Sequence, residues 1–321
     1  MYYEEIGYLQ ALRDILDSGE RKHNRTGVAT LSKFNITLRF KLDKFPLFTS
    51  RKIYWKGIYE ELIWFLRGST NSKSLHNAGV KIWDHNSSRE YLNANGFTNY
   101  NPGELGPIYG WQWRKFGKSY IPESERLPRA CMNLLSLIIM YMLVGYIGVI
   151  ILILMLALCY RDTNSGVDQI KYIIREIVNN PRSRRIVLSA WNPADLHKMA
   201  LPPCHLMAIF NVTNSRELNC AVVMRSADMV LGVPFNVASY ALLTYLIAKE
   251  TNTTPGEITL TAIDAHIYEN HVPGVKTLIN TIPGDKPTLL LDECVSIDNP
   301  RGDQFVLLNY NPGPKMNFEL N

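Results

Sequence analysis

Apolar residues recur at three- and four-residue spacing over 3–17, 55–66 and 167–179, which predicts three amphipathic helices. Gly19 and Gly68 lie just past the ends of the first two, and Pro181 stops the third. Apolar and polar positions alternate over 29–42, as in a strand with one face in water. Shorter strand patterns follow at 185–191, 208–212, 218–224 and 258–263. Residues 235–251 are apolar nearly all round, which predicts a buried helix. Residues 70–106 read as loop, with turn signals at Asn95-Gly96 and Pro102-Gly103. No repeat or low-complexity linker divides these parts. The packing solution is an α+β domain, with helices covering a mixed or antiparallel sheet.

One interval breaks the pattern. Residues 130–160 carry no charge, and 134–158 are almost continuously apolar. Roughly 20 apolar residues span a bilayer, so the stretch is long enough for a transmembrane helix. It nevertheless interrupts a chain that otherwise reads as a water-soluble domain. Three readings stay open: an anomalous insertion into a single domain of residues 1–321, occupying about 119–163; a membrane hairpin turning near Gly145 and Gly148; or a helix packed inside the protein or against a second copy.

Composition narrows the function. With 321 residues the chain can bury a large core, and its net charge of +5 suits anionic ligands. No lysine- or arginine-rich run of the nucleic-acid-binding kind is present, so specific DNA binding is not expected. Cys131, Cys159, Cys204, Cys220 and Cys294 have no metal-ligand spacing, so no metal site is expected. Their odd number and scatter fit reduced thiols, and the first ten residues lack a secretory pattern. Both point to the cytoplasm.

The chemistry centres on Cys204, in Leu201-Pro202-Pro203-Cys204-His205, followed by Arg225-Ser226-Ala227-Asp228. Two prolines stiffen the approach to the sulfur, and a guanidinium nearby favours a nucleophilic thiolate. Taken alone, a cysteine is more often a small buried hydrophobe. Further on come Leu231-Gly232-Val233-Pro234-Phe235-Asn236 and Asp264-Ala265-His266-Ile267-Tyr268. With these residues the chain resembles the thymidylate synthase family. The resemblance extends to Arg25-Thr26-Gly27, residues 55–71 (WKGIYEELIWFLRGSTN), Val80-Lys81-Ile82-Trp83-Asp84, residues 105–114 (LGPIYGWQWR), Gly166-Val167-Asp168-Gln169 and Ser183-Arg184-Arg185-Ile186. It covers most of the chain outside about 119–163 and weakens after about 272.

The resemblance implies a thymidylate synthase fold whose sheets pack across a homodimer interface. The implied reaction is methylation of dUMP to dTMP with 5,10-methylenetetrahydrofolate as co-substrate, releasing dihydrofolate. Cys204 then attacks C6 of the uracil. Arg25, Arg225 and Ser226 match phosphate-binding groups, with Ala227 and Asp228 in the same segment. Arg184 and Arg185 match a pair that reaches into the partner's site. Asn236 matches the uracil reader, since a side-chain amide offers a donor and an acceptor together. His266 and Tyr268 match groups that hold the deoxyribose hydroxyl. Glu61 and Tyr109 match the proton relay, and Glu61 in an apolar helix is expected to have a raised pKa. Ile82, Trp83, Leu201, Asp228, Gly232 and Phe235 match the folate walls.

Three departures stand out. Met224 replaces a usual glutamine before Arg225, the chain ends Glu319-Leu320-Asn321 instead of in a small apolar residue, and the apolar insertion precedes Arg184 and Arg185. The altered end predicts imperfect closure. Two alternatives therefore stay open: a deoxyuridylate hydroxymethylase, or an inactive paralogue that binds nucleotide or RNA or associates with a membrane through 130–160.

Overall fold

A computed structural model describes residues 3–125 and 165–320. The apolar stretch 130–160, with Cys131 and Cys159, lies outside the described residues.

Helix α1 (Tyr3–Ser18) buries Tyr8, Leu12 and Ile15 on one face, and Gly19 N–H closes it on the Ile15 carbonyl at 2.8 Å. The chain then forms β1 (Glu20–Lys22), β2 (Thr30–Lys41), α2 (Trp55–Leu66), α3 (Lys73–Asn77), α4 (Arg89–Ala94) and α5 (Tyr109–Lys115). After residue 165 come α6 (Gln169–Asn179), β3 (Val187–Ser189), β4 (His205–Val212), β5 (Glu217–Asp228), α7 (Gly232–Glu250), β6 (Thr254–Tyr268), α8 (Val272–Leu278), β7 (Thr288–Leu291) and β8 (Phe305–Leu308).

Six strands form one mixed sheet in the order β1-β2-β6-β5-β4-β3. All neighbours are antiparallel except β5 and β6, which run parallel with α7 as their crossover. A two-residue period holds through the middle of the sheet, between register shifts at His205/Met207 and Leu218/Cys220. Leu38 and Phe40, Ile258 and Leu260, Cys220 and Val222, and Ala208 and Phe210 are buried on one face, which α1 and α7 cover. The opposite face carries Thr37, Arg39, Thr259, Thr261, Ala221, Val223, Ile209 and Asn211, all less buried. Phe34, at 78% exposure, stands on β2 beside Asn35, whose φ of 58° interrupts the pleat.

Thirteen of the nineteen α7 residues are buried, as its apolar circumference predicts. Helix α6 buries Ile170, Ile173 and Ile177, and the Asp168 carboxylate caps it by accepting from Lys171 N–H. The region expected to be loop contains α3 and α4, each too short and too polar to show a period. Gly106, at φ +76°, turns the chain into α5 where a Cβ would strike the Lys198 carbonyl. Gly110 lets the α5 backbone press against the Phe65 and Ser69 carbonyls of the α2 end. This close approach carries Tyr109 towards the sheet.

Candidate active site

The residues before β4 present Cys204 in a fixed frame. The Pro202 and Pro203 carbonyls each take a hydrogen bond of 2.9 Å from the Arg225 guanidinium. Arg225 N–H donates to the Cys204 carbonyl at 2.9 Å, and Arg225 Nη2 lies 3.7 Å from Cys204 Sγ. From the other side, Cys204 N–H donates to the Tyr109 hydroxyl at 2.7 Å. The Tyr109 ring stacks on His205 with centroids 4.0 Å apart, and His205 Nδ1 meets the Tyr240 hydroxyl at 2.8 Å. Burial holds Tyr109 far above its ordinary value as a neutral phenol, and lowers His205 to about 3, so its ring is neutral.

The thiol itself differs from expectation. Burial pushes Cys204 above its ordinary value, and the opposing pull of Arg225 and Arg25 does not overcome it. Arg225 does favour the thiolate, but in the free protein desolvation is the larger effect.

A cavity of about 410 Å³ opens over this sulfur, within the ~300–1,000 Å³ typical of small-molecule sites. Its lining combines Arg25, Glu61, Trp83, Tyr109, Leu201, Cys204, Arg225, Ser226, Asp228, Gly232, Asn236, His266 and Tyr268. Sequence reasoning singled out every one of these. Met224 and Leu320, from two of the departures noted in the sequence, line it as well; so do Lys22, His23, Asn24, Thr26 and Thr30 from β1, β2 and their loop, with His205 and Asp264, to which sequence reasoning gave no role. His205 was findable as the neighbour of Cys204, and Asp264 as the residue two positions before His266 on one strand.

Five expected residues lie elsewhere. Ala227 is buried in β5, paired with Ala265. Ile82 and Phe235 are half-buried against the core and do not line the cavity. Arg184 and Arg185 are exposed in the turn after α6, outside the cavity of their own chain.

Glu61 accepts from Trp83 Nε1 at 2.7 Å, and burial raises its carboxyl to about 7 against the opposing effect of that bond. Asp228 Oδ1 accepts from Val230 and Leu231 N–H at 2.8 and 3.1 Å, so it also shapes the turn into α7. Asn236 is not the N-cap of α7, a position held by Leu231; it stands in the second turn with its side chain at the cavity.

The terminal segment reaches the cavity mouth. Phe318 packs edge-on to His271 at 5.2 Å and under the Arg51 guanidinium at 5.2 Å. His271 Nε2 donates to the Glu319 carbonyl at 2.8 Å. Leu320 thereby lines the cavity despite the unusual ending. Among the described residues, no three His, Cys, Asp or Glu side chains group as metal ligands, and no helix is long and apolar enough to cross a membrane.

A mixed sheet that brings a cysteine, two guanidiniums and a side-chain amide to one cavity defines a nucleotide-directed group-transfer site. Residues 6–321 match the family model described as Thymidylate synthase, and the chain belongs to that family. It is 43% identical to the thymidylate synthase of Homo sapiens over 323 residues, covering 98% of this chain and 90% of that protein. It is 42% identical to the thymidylate synthase of Human herpesvirus 8 type P (isolate GK18) over 320 residues, covering 99% and 84%. Against the bifunctional dihydrofolate reductase-thymidylate synthase of Zea mays the identity is 43% over 320 residues. There the match takes 99% of this chain but 54% of the relative, so the chain spans about half of that bifunctional protein.

Proposed function

We propose that this chain, a thymidylate synthase, methylates dUMP to dTMP in the cavity above Cys204, by covalent addition of the sulfur to C6 of the uracil. The observation that carries the reading is the sulfur 3.7 Å from Arg225 Nη2, in the cavity shared with Arg25, Glu61 and Asn236.

Arg25, Arg225 and Ser226 take the phosphate, because guanidinium forks meet its oxygens through charge-assisted bonds. Asn236 reads uracil O4 and N3–H. His266 and Tyr268 hold the sugar hydroxyl. Adding sulfur to C6 moves electron density onto C5 and O4, so the thiol must lose its proton while O4 gains hydrogen-bond donation. Arg225 and Arg25 pull the thiol towards its thiolate against the burial that keeps it protonated in the free protein. Glu61, poised near neutral pH, exchanges protons at O4, and the Tyr109 hydroxyl beside the sulfur holds in place a water that takes the proton from C5.

Methylenetetrahydrofolate supplies the one-carbon unit and the hydride. Trp83 and Leu201 offer apolar surface beside Asp228 and Gly232 for its ring, which fits a flat ligand with a polar edge. Trp83, Leu201 and Leu320 also exclude water, which favours hydride transfer over hydration and hence methylation over hydroxymethylation.

The open sheet face and the exposed Phe34, together with Arg184 and Arg185 outside their own cavity, support a homodimer in which each chain lends those arginines to the other. Free Cys204, Cys220 and Cys294 are consistent with a reducing, cytoplasmic setting. Purified protein given dUMP and methylenetetrahydrofolate is expected to yield dTMP and dihydrofolate in equal amounts, and none with Cys204→Ser. Formation of 5-hydroxymethyl-dUMP with tetrahydrofolate would replace this reading with the hydroxymethylase, and binding without turnover would replace it with the inactive paralogue.

A further inference from the structure

Asp264 lies on β6 two residues before His266 and lines the same cavity, yet the reaction just described gives it no part. Across the sheet it pairs with Phe34 on one side and Ser226 on the other, so it sits beside the phosphate end. A carboxylate there would repel the nucleotide unless it served another group. Its neighbours show which one. His266 Nδ1 is 3.2 Å from the Asp264 carbonyl and 3.6 Å from its carboxylate Oδ1. The Lys22 ammonium, on β1, is 3.5 Å from the other carboxylate oxygen.

The His266 ring, with Ser32 and Lys22, pulls the Asp264 carboxyl down to about 2 against the effect of burial, so it is ionised at any working pH. A carbonyl and a carboxylate can only accept hydrogen bonds. Two acceptors therefore face Nδ1, the carbonyl within hydrogen-bond distance and the carboxylate oxygen just beyond it. A neutral imidazole carries one proton, and the partner of one nitrogen decides where it sits.

We propose that Asp264 is a positioning residue that keeps the His266 proton on Nδ1, so that Nε2 is presented to the cavity as an acceptor and selects nucleotides bearing a free sugar hydroxyl. In dUMP that hydroxyl is the 3′ one, since the 5′ oxygen carries phosphate and the 2′ position carries none. The proposal rests on the sugar-reading role given to His266 above. Lys22 balances the charge of Asp264, so the carboxylate can stay near the phosphate without opposing it.

The test has two arms. In protein labelled with 15N-histidine at pH 8, with His266 assigned by difference against His266→Gln, the ring should show a protonated Nδ1 and a bare Nε2. Binding of dUMP and of 2′,3′-dideoxyuridine 5′-monophosphate is then measured by calorimetry for the wild type, Asp264→Asn and Lys22→Met. Asp264→Asn should weaken dUMP binding about tenfold, the value of one hydrogen bond, and leave the dideoxy nucleotide unchanged. Lys22→Met should weaken both nucleotides alike. A wild-type ring protonated on Nε2 overturns the proposal without needing any variant to fold. Equal losses for both nucleotides with Asp264→Asn also overturn it, because Asp264 would then act through β1 and charge alone. Equal wild-type affinity for the two nucleotides would overturn the sugar-reading role of His266 itself, and the proposal with it.

Discussion

Replacing Glu61 with glutamine separates what this carboxyl costs the fold from what it does for the reaction. Burial raises it from an ordinary 4.5 to about 7. Below pH 4.5 it is protonated in both the folded and the unfolded chain and adds no pH dependence. Between 4.5 and about 7 the unfolded chain releases a proton that the folded chain keeps, so stability falls as pH rises, and above about 7 the loss is complete. At ~1.4 kcal/mol per pH unit, with some screening for partial exposure, the loss is about 2–3 kcal/mol. Glu61→Gln keeps an oxygen for the Trp83 Nε1 bond and never ionises. Urea denaturation of both proteins at pH 5 and pH 8 should show the variant gaining about 2 kcal/mol relative to wild type between those values. Its kcat should fall by ~10²–10⁴, the usual worth of a positioned acid–base group. A stability gap that does not change with pH would refute the buried, proton-holding carboxyl, whatever happened to activity.

Alkylation of Cys204 by iodoacetamide should still be accelerating above pH 9 in the free protein, because burial raises the thiol; a plateau by pH 7 would contradict this. Arg114 is a nearly buried cation that joins Asp168, Asp298 and the Leu66 and Ile297 carbonyls. Arg114→Met should cost about 1–3 kcal/mol in denaturant unfolding, chiefly because it leaves the Leu66 and Ile297 carbonyls without this donor. Phe34→Glu puts a charge at an exposed apolar position; on the proposed dimer, sedimentation should show dissociation to monomer, with activity falling in proportion.

How much the sequence revealed depended on where each element meets the site. Helices α1, α2 and α6 were legible because each carries a periodic apolar face over a polar back. Strands β5 and β6 were expected to end at 224 and 263 but run on to Asp228 and Tyr268. Their last residues, including Ser226, Asp228, Asp264 and His266, turn polar because they enter the cavity, and that erases the apolar signal of a strand. β3 was expected over 185–191 yet holds only three residues, since Arg184 and Arg185 remain in an exposed turn. The start of α7 was placed at Phe235, but the helix begins at Gly232, with Pro234 in the first turn, where a missing N–H costs nothing. The residues of the β1–β2 loop that share the cavity come from far away in the chain and have no spacing that ties them to Cys204. Only the sheet order brings β1 and β2 beside β6.

The central claim is a bond between one sulfur and one pyrimidine carbon. Rapid acid quench of the protein turning over dUMP with methylenetetrahydrofolate, followed by mass spectrometry of the peptide that contains Cys204, measures that bond directly. The account predicts a nucleotide-mass addition on Cys204 that forms and decays with turnover and is absent from Cys204→Ser. Product formation by Cys204→Ser at the wild-type rate, with no such adduct on the wild-type peptide, would contradict it.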